Sequence, residues 1–235
     1  MPQPQVNRIR RLAVLSLSFA CARASNKPQA SESASVTRVE TTAVTSRAPT
    51  DSNITRADLA RIQGSSTAPL WVIEVSDFQC PYCKQWHDQT YPQFLDQYVK
   101  TGKVRLAYVN FPLGSHAHAF PAAEAAMCAG AQNKFWPMHD GLFATQTRWE
   151  NLPSPAPVFD SLAQSTGVDM KRWRDCVSSG AMRPLIEADH DRAQRAGASA
   201  TPSFMIGDNK LLAGAMPLDE LKKAIDSAMV KNRKQ

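Results

Sequence analysis

The stretch Leu70-Trp71-Val72-Ile73-Glu74-Val75-Ser76-Asp77-Phe78-Gln79-Cys80-Pro81-Tyr82-Cys83 decides the fold. Its first six residues are a compact apolar run rich in β-branched side chains, of a length that suits a buried strand. After Cys83 the spacing turns helical, through Trp86, Tyr91, Phe94, Leu95, Tyr98 and Val99. Pro92 falls inside that pattern and predicts a kink, because proline removes a backbone donor. Gly102 stops the helix, and Val104, Leu106, Tyr108 and Phe111 mark a second strand within 103–111. The order is strand, CxxC, helix, strand: a βαβ unit with its cysteines at the helix start.

That placement has a chemical reason. A helix N-terminus carries unsatisfied N–H groups and a partial positive charge. It stabilises a thiolate over a thiol, so Cys80 should titrate below the free cysteine value of about 8.5. Cys80 is expected as the exposed nucleophile, and Cys83, one turn further in, as the resolver of a mixed disulfide. Pro81 suits the first helical turn. A structural zinc site needs two more ligands at short spacing, and Cys128 and Cys176 are far away and far apart. His87, four residues after Cys83, is either a third soft ligand or a polar helix residue. Glu74 interrupts an otherwise apolar strand. Alternation sets Trp71, Ile73 and Val75 on one face and Val72 and Glu74 on the other. In a central strand both faces are covered, so the Glu74 carboxyl is expected buried with its pKa raised; at an edge it would face water.

The chain has 235 residues, 43% hydrophobic and 20% charged, a globular balance that excludes a disordered or collagen-like chain. Its net charge of +6 is concentrated at the start, where Arg8, Arg10, Arg11 and Arg23 meet no acid. The remainder is near neutral, so no nucleic-acid partner is implied. Arg8 to Arg11 precede an apolar run over 12–20, and Ala22-Arg23-Ala24 follows. This reads as an export signal over 1–24, against the plainer alternative of a basic tail. The run is too short to span a bilayer. Cys21 leaves a lipid anchor open, although Ser18 stands where a lipidation signal prefers Leu. Residues 25–63 read as a flexible polar linker with a short helix over 55–62, ended by Gly64.

From Ala117 to Ala196 the pattern is helical. β character returns at Ser203–Ile206 and Leu211–Ala213, around an Asp208-Asn209 turn, and a last helix begins near Pro217. Cys128 and Cys176 both fall on helices of the middle segment. In an exported chain a left-over pair reads as a disulfide, worth about 4 kcal/mol on the chain-entropy model; the alternative is two buried thiols. His116 and His118 could tune a nearby site, with a solvated loop position favoured for His118. Trp136, His139 and Phe143 read as helix packing.

The motif resembles the active-site segment of DsbA-like thiol:disulfide oxidoreductases of the thioredoxin superfamily, in the bacterial branch that carries E-F-S-D-F-x-C-P-x-C. Phe111-Pro112-Leu113-Gly114-Ser115-His116 is similar to that branch's F-P-L-x-x-H. Lys134-Phe135-Trp136-Pro137-Met138-His139-Asp140 is similar to K-F-W-x-M-H-D, and Ala200-Thr201-Pro202-Ser203-Phe204 to G-T-P-T-F. Val75 replaces a usual Phe and Ala200 a common Gly. The resemblance spans about 64–230. It implies an α/β thioredoxin fold, a central mixed sheet flanked by helices, over 64–112 and 197–235, with an inserted helical domain over 113–196.

The resemblance further implies a cis Pro202 beside Cys80, which keeps metal off the thiols, and a Thr201 backbone presented to a bound peptide next to Pro81 and Tyr82. It gives Glu74 the role of exchanging protons with Cys83. The function expected is an exported thiol–disulfide oxidoreductase, periplasmic or of the cell envelope. It acts as an oxidase on reduced secreted proteins and is reset by a membrane or thiol redox partner. A monomer without metal or organic cofactor is expected. The reading from another class is a thioredoxin-fold metal-binding or delivery module that uses Cys80, Cys83 and His87. Pro-Tyr between the cysteines supplies no histidine to the thiolate, so less oxidising power is expected than with Pro-His.

Overall fold

The structure, a computed structural model, describes residues 52–207 and 211–232. The export signal over 1–24, the lipidation reading of Cys21, most of the linker and the Asp208-Asn209 turn lie outside the described residues. Five strands form one mixed sheet: β1 (Ile62–Gln63), β2 (Leu70–Ser76), β3 (Val104–Asn110), β4 (Ser203–Ile206) and β5 (Leu212–Ala213). Their spatial order is β1-β3-β2-β4-β5, with β2 and β3 parallel and the other pairs antiparallel. β2 is therefore central. It sets Glu74 opposite Tyr108 on one side and Phe204 on the other.

The strands alternate as their sequences dictate. On β3, Val104, Leu106, Tyr108 and Asn110 are buried while Arg105, Ala107 and Val109 are half-buried. On β2 the face of Leu70, Val72, Glu74 and Ser76 is buried. The opposite face is covered only toward its end: Trp71 is exposed, Ile73 half-buried and Val75 buried. Covering of both faces along the whole strand is thus corrected, because only Val75 meets the small cluster of Phe111, Ala193 and Ala198.

The crossover from β2 to β3 runs through α2 (Pro81–Gln89), α3 (Tyr91–Phe94) and a π-helical stretch over Leu95–Val99. Proline 92 breaks the helix rather than merely bending it: α2 ends at Thr90, whose ψ of −44° starts the next turn. Trp86, Phe94, Val99 and Leu106 pack with β4 and with α10 (Leu218–Asn232) in one core.

Between β3 and β4 the regular elements of the described chain are all helices: α4 (Ala119–Gly130), α5 (Phe135–Ala144), α6 (Gln146–Trp149), α7 (Ala156–Thr166), α8 (Met170–Ser179) and α9 (Arg183–Arg195). Asp169 caps α8 by accepting from the Arg172 N–H at 3.0 Å. Its opposite end stops at Gly180, with φ of +63°. Cys128 on α4 and Cys176 on α8 are joined, with an S–S distance of 2.01 Å. A second core of these helices is continuous with Phe78, Cys80, Cys83 and Tyr108.

The linker boundary at 63 is corrected. Helix α1 spans Ser52–Ala60, and Ile62 and Gln63 leave the expected helix to pair with Ala107 and Leu106 on β3. Gly64 ends a strand rather than a helix; at φ of +101°, a Cβ there would stand 2.7 Å from the Val104 carbonyl oxygen. Ala57 is fully buried in the helical core. Arg61, 5% exposed, bonds to the fully buried Asp189 on α9. Asp189 also accepts from the Asn110 backbone N–H and side-chain amide at 3.2 and 2.9 Å. The charged-looking helix α9 therefore holds a buried carboxylate, neutralised by arginine from the segment read as linker.

Candidate active site

Cys80 caps α2 with extended backbone angles (φ −69°, ψ 124°), and Pro81 occupies the first helical position. Both cysteines are free thiols. Cys80 is 3% exposed and Cys83 0%, so the exposed nucleophile of the sequence reading is covered, while remaining the more accessible of the two. Its cover is the loop before β4: the Cys80 thiol donates to the Thr201 carbonyl at 3.3 Å. The Thr201–Pro202 peptide is cis, and both residues are buried. Pro81 and Tyr82 face outward, Tyr82 with 62% exposure.

The two thiols titrate in opposite directions. Cys80 is lowered to about 6, chiefly by a hydrogen bond from Cys83 and against burial, with further help from the Thr201 side chain and the backbone N–H groups of Cys83 and Tyr82. Cys83 is raised well above 9 by burial and by the neighbouring Cys80 charge. The Asp77 N–H lies 3.5 Å from Cys83 Sγ.

Glu74 is 1% exposed, and neither carboxylate oxygen has a hydrogen-bond partner. Burial pushes its pKa up to about 7, opposed only in part by Ser76 and the charge of His87. The buried Ser76 hydroxyl makes no hydrogen bond, yet its nearness lowers the Glu74 carboxyl and the Cys83 thiol against the larger effect of burial. Tyr108 is raised first by burial and then by the charges of both groups.

Three side chains that the sequence reading passed over hold the active-site turn. Asp77 Oδ1 accepts from the Gln79 N–H at 2.7 Å; Oδ2 accepts from the Leu113 N–H at 2.9 Å and bonds His116 Nδ1 at 2.7 Å. Gln79 donates to the Glu150 carbonyl at 2.8 Å and accepts from the His118 N–H at 2.6 Å. His118 is not merely solvated, because its Nε2 bonds the Leu152 carbonyl at 2.7 Å. Gln146, 1% exposed on α6, donates to the carbonyls of Phe78 at 2.7 Å and Cys80 at 3.0 Å. Asp77 lies within the quoted motif, whereas nothing in the local sequence around Gln146 marks it.

His87 does not join the thiols. Among the described residues it groups instead with His139 and Asp140 on α5. Its ring packs on Tyr91 and Phe143, so it is not a third ligand of the cysteine pair but a polar residue of α2, bonded to Asp88 and Asp140. Among the described residues no helix is long and apolar enough to cross a membrane.

A strand that delivers a low-pKa cysteine to a helix N-terminus, covered by a cis-proline loop and split by helices, defines a thioredoxin-fold thiol–disulfide oxidoreductase. The family model described as Thioredoxin matches residues 57–227. The chain belongs to that family, and it resembles the DsbA-like oxidoreductases within it. It is similar to "Probable disulfide bond formation protein D" of Bacillus anthracis: 29% identity, covering 72% of this chain and 77% of that protein. It is similar in structure to oxidised BdbD from Bacillus subtilis, with a TM-score of 0.66 and 24% identity, over 72% of this chain and 92% of that one. DsbA2 of Pseudomonas aeruginosa gives a TM-score of 0.56 and 26% identity, over 72% and 93%.

Two outcomes follow from this geometry. Glu74 is neutral in both folded and unfolded chains below about pH 4.5 and ionised in both above about pH 7. Between those values the folded chain binds more protons, so stability falls as pH rises, by about 3 kcal/mol in total. Urea unfolding of Glu74→Gln against wild type across pH 4 to 8 should show the variant's relative stability rising over that window; parallel curves contradict the assignment. Gln146→Met strips donors from two carbonyls beside the Cys80 thiolate. The pH midpoint of Cys80 alkylation should rise from about 6 in the wild type by about one unit, about 1.4 kcal/mol.

Proposed function

We propose that the chain is an exported oxidase of reduced secreted proteins, working through Cys80 and Cys83. The observation that carries this reading is the opposed titration of two thiols three residues apart, one lowered to about 6 and one raised by burial. In the oxidised chain the pair is a disulfide. A substrate thiolate attacks Cys80 Sγ, the Cys80–Cys83 bond breaks, and Cys83 leaves as a thiolate. A second substrate thiolate then attacks the substrate sulfur of the mixed disulfide and expels Cys80, a good leaving group because its pKa is low. Two electrons pass from substrate to chain, and the substrate dithiol becomes a disulfide. A membrane or thiol redox partner must remove those electrons before the next turnover.

Cys83 is 0% exposed, so the proton it needs on release must come from a neighbouring group rather than from bulk water. Glu74, with a pKa near 7, is half protonated at neutral pH. The buried Ser76 hydroxyl lies near both groups but hydrogen-bonds neither, so the reading rests on Glu74 itself as the proton donor. The Thr201 carbonyl already accepts from Cys80, which supports the 201–202 backbone as the rail for an extended substrate peptide, with Pro81 and the exposed Tyr82 beside it. The charge pattern over 1–24 supports export, and an even cysteine pair closed between α4 and α8 fits an oxidising compartment. The Cys128–Cys176 bridge takes no part in turnover in this reading.

Incubation of the reduced chain with a two-cysteine peptide in its disulfide form, so that thiolate attack breaks the peptide S–S bond as the mixed disulfide forms, tests the assignment. Cys83→Ala should accumulate a covalent mixed disulfide at Cys80, read by mass spectrometry of non-reduced peptides, while Cys80→Ala should accumulate none. Trapping through Cys83, or by neither variant, contradicts the proposal.

A further inference from the structure

One cluster of ligating side chains lies apart from the dithiol, between the last turn of α2 and α5. His87 Nε2 stands 3.4 Å from Asp140 Oδ1, and His139 Nδ1 stands 2.8 Å from the same oxygen. The three ligand atoms lie within 4.8 Å of one another. Behind His87, its other ring nitrogen bonds Asp88 Oδ1 at 3.1 Å. A carboxylate behind an imidazole is the arrangement that orients a metal-bound histidine and strengthens its basicity.

His139 supplies the second observation. It is 0% exposed, and its Nε2 has no hydrogen-bond partner within a shell of aromatic rings that includes Phe78, Tyr108 and Trp136. Without a cation, a proton on Nδ1 makes His139 the donor to the Asp140 carboxylate at 2.8 Å. A bound cation takes the place of that proton: the Nδ1 lone pair and the Asp140 oxygen then both face the ion, and the ring proton moves to Nε2.

We infer that His87, His139 and Asp140 bind a divalent cation of the zinc class, with water in the fourth position on the exposed side of Asp140. Two imidazoles, one carboxylate and an open position form a three-ligand zinc set. Tetrahedral bonds of about 2.0–2.1 Å place ligand atoms about 3.3–3.4 Å apart. The His87–Asp140 pair already has that separation. The His139–Asp140 pair must open by about half an ångström, which the Asp140 side chain, 53% exposed, is free to supply. Asp88, which also accepts from Lys84 Nζ at 2.8 Å, stands behind His87 as its carboxylate partner, and Asp140 supplies the one charged ligand. The ion joins the active-site helix to the insertion without touching either thiol.

The test uses chelator-stripped chain with Cys80 and Cys83 oxidised to their disulfide, so that no thiolate competes. Calorimetric titration with zinc chloride should show one ion per chain, with affinity at least tenfold weaker in both His87→Gln and Asp140→Ala. Zinc should raise the melting temperature of the wild type and leave both variants unmoved. Cobalt(II) on the oxidised wild type, which needs no variant to fold, should give the intense visible bands of a tetrahedral site without a thiolate charge-transfer band. An oxidised chain that takes up no zinc, uptake equal in both variants, or a cobalt spectrum lacking tetrahedral bands overturns the inference.

Discussion

The molecule depends on how the backbone of one buried turn is satisfied. Residues 77–80 leave the end of β2 and enter α2 between two packed cores, where water cannot serve their polar groups. Unpaired, each of those groups would cost about 1–3 kcal/mol. The turn is therefore held by side chains: Asp77 takes the Gln79 N–H, and Gln146 gives to the carbonyls of Phe78 and Cys80. Two of its anchors reach across to the helical insertion, so the insertion is part of the active-site frame and not only a lid on the sheet. The same Asp77 ties in the loop after β3 through Leu113 and His116.

Once the turn is fixed, burial sorts the chemistry. One helical turn separates a thiol at the capping position, facing N–H donors, from a thiol in the core. The Cys83 thiol first, and then the helix-end N–H donors, favour the charged form of the first, and desolvation disfavours the charged form of the second. The same desolvation acts on Glu74, which the centre of the sheet leaves without a partner. A carboxyl held near neutrality is costly as structure, and useful beside a thiolate that must gain and lose a proton without water. Leu at position 74 would remove that cost together with the proton source.

Much of this was legible in the sequence. The strand at 70–76 announces itself by β-branched residues, the helix start by Pro81 after Cys80, and the hairpin strand at 203–206 by a short apolar run. Glu74 is legible because a single carboxylate stands in an apolar strand. Other features depend on partners that are distant along the chain. Ile62 and Gln63 form a strand because β3 offers an open edge, not by their own pattern. Arg61 and Asp189 find each other across 128 positions, each looking like an ordinary surface charge. Gln146 is one polar residue among several, and only the fold brings its amide to the turn. Cys80 is covered by the carbonyl of a loop 121 residues away.

The central claim is that thiolate stabilisation at Cys80 makes the pair an oxidant. A cysteine near 6 lies between the values of about 7 for thioredoxin and about 3.5 for DsbA. Stabilising the reduced form raises the reduction potential. Equilibration of the Cys80–Cys83 pair with glutathione buffers measures it directly. The account predicts a potential between about −270 mV, that of thioredoxin, and about −120 mV, that of DsbA. A value at or below about −270 mV would contradict it, and would make the chain a reductant.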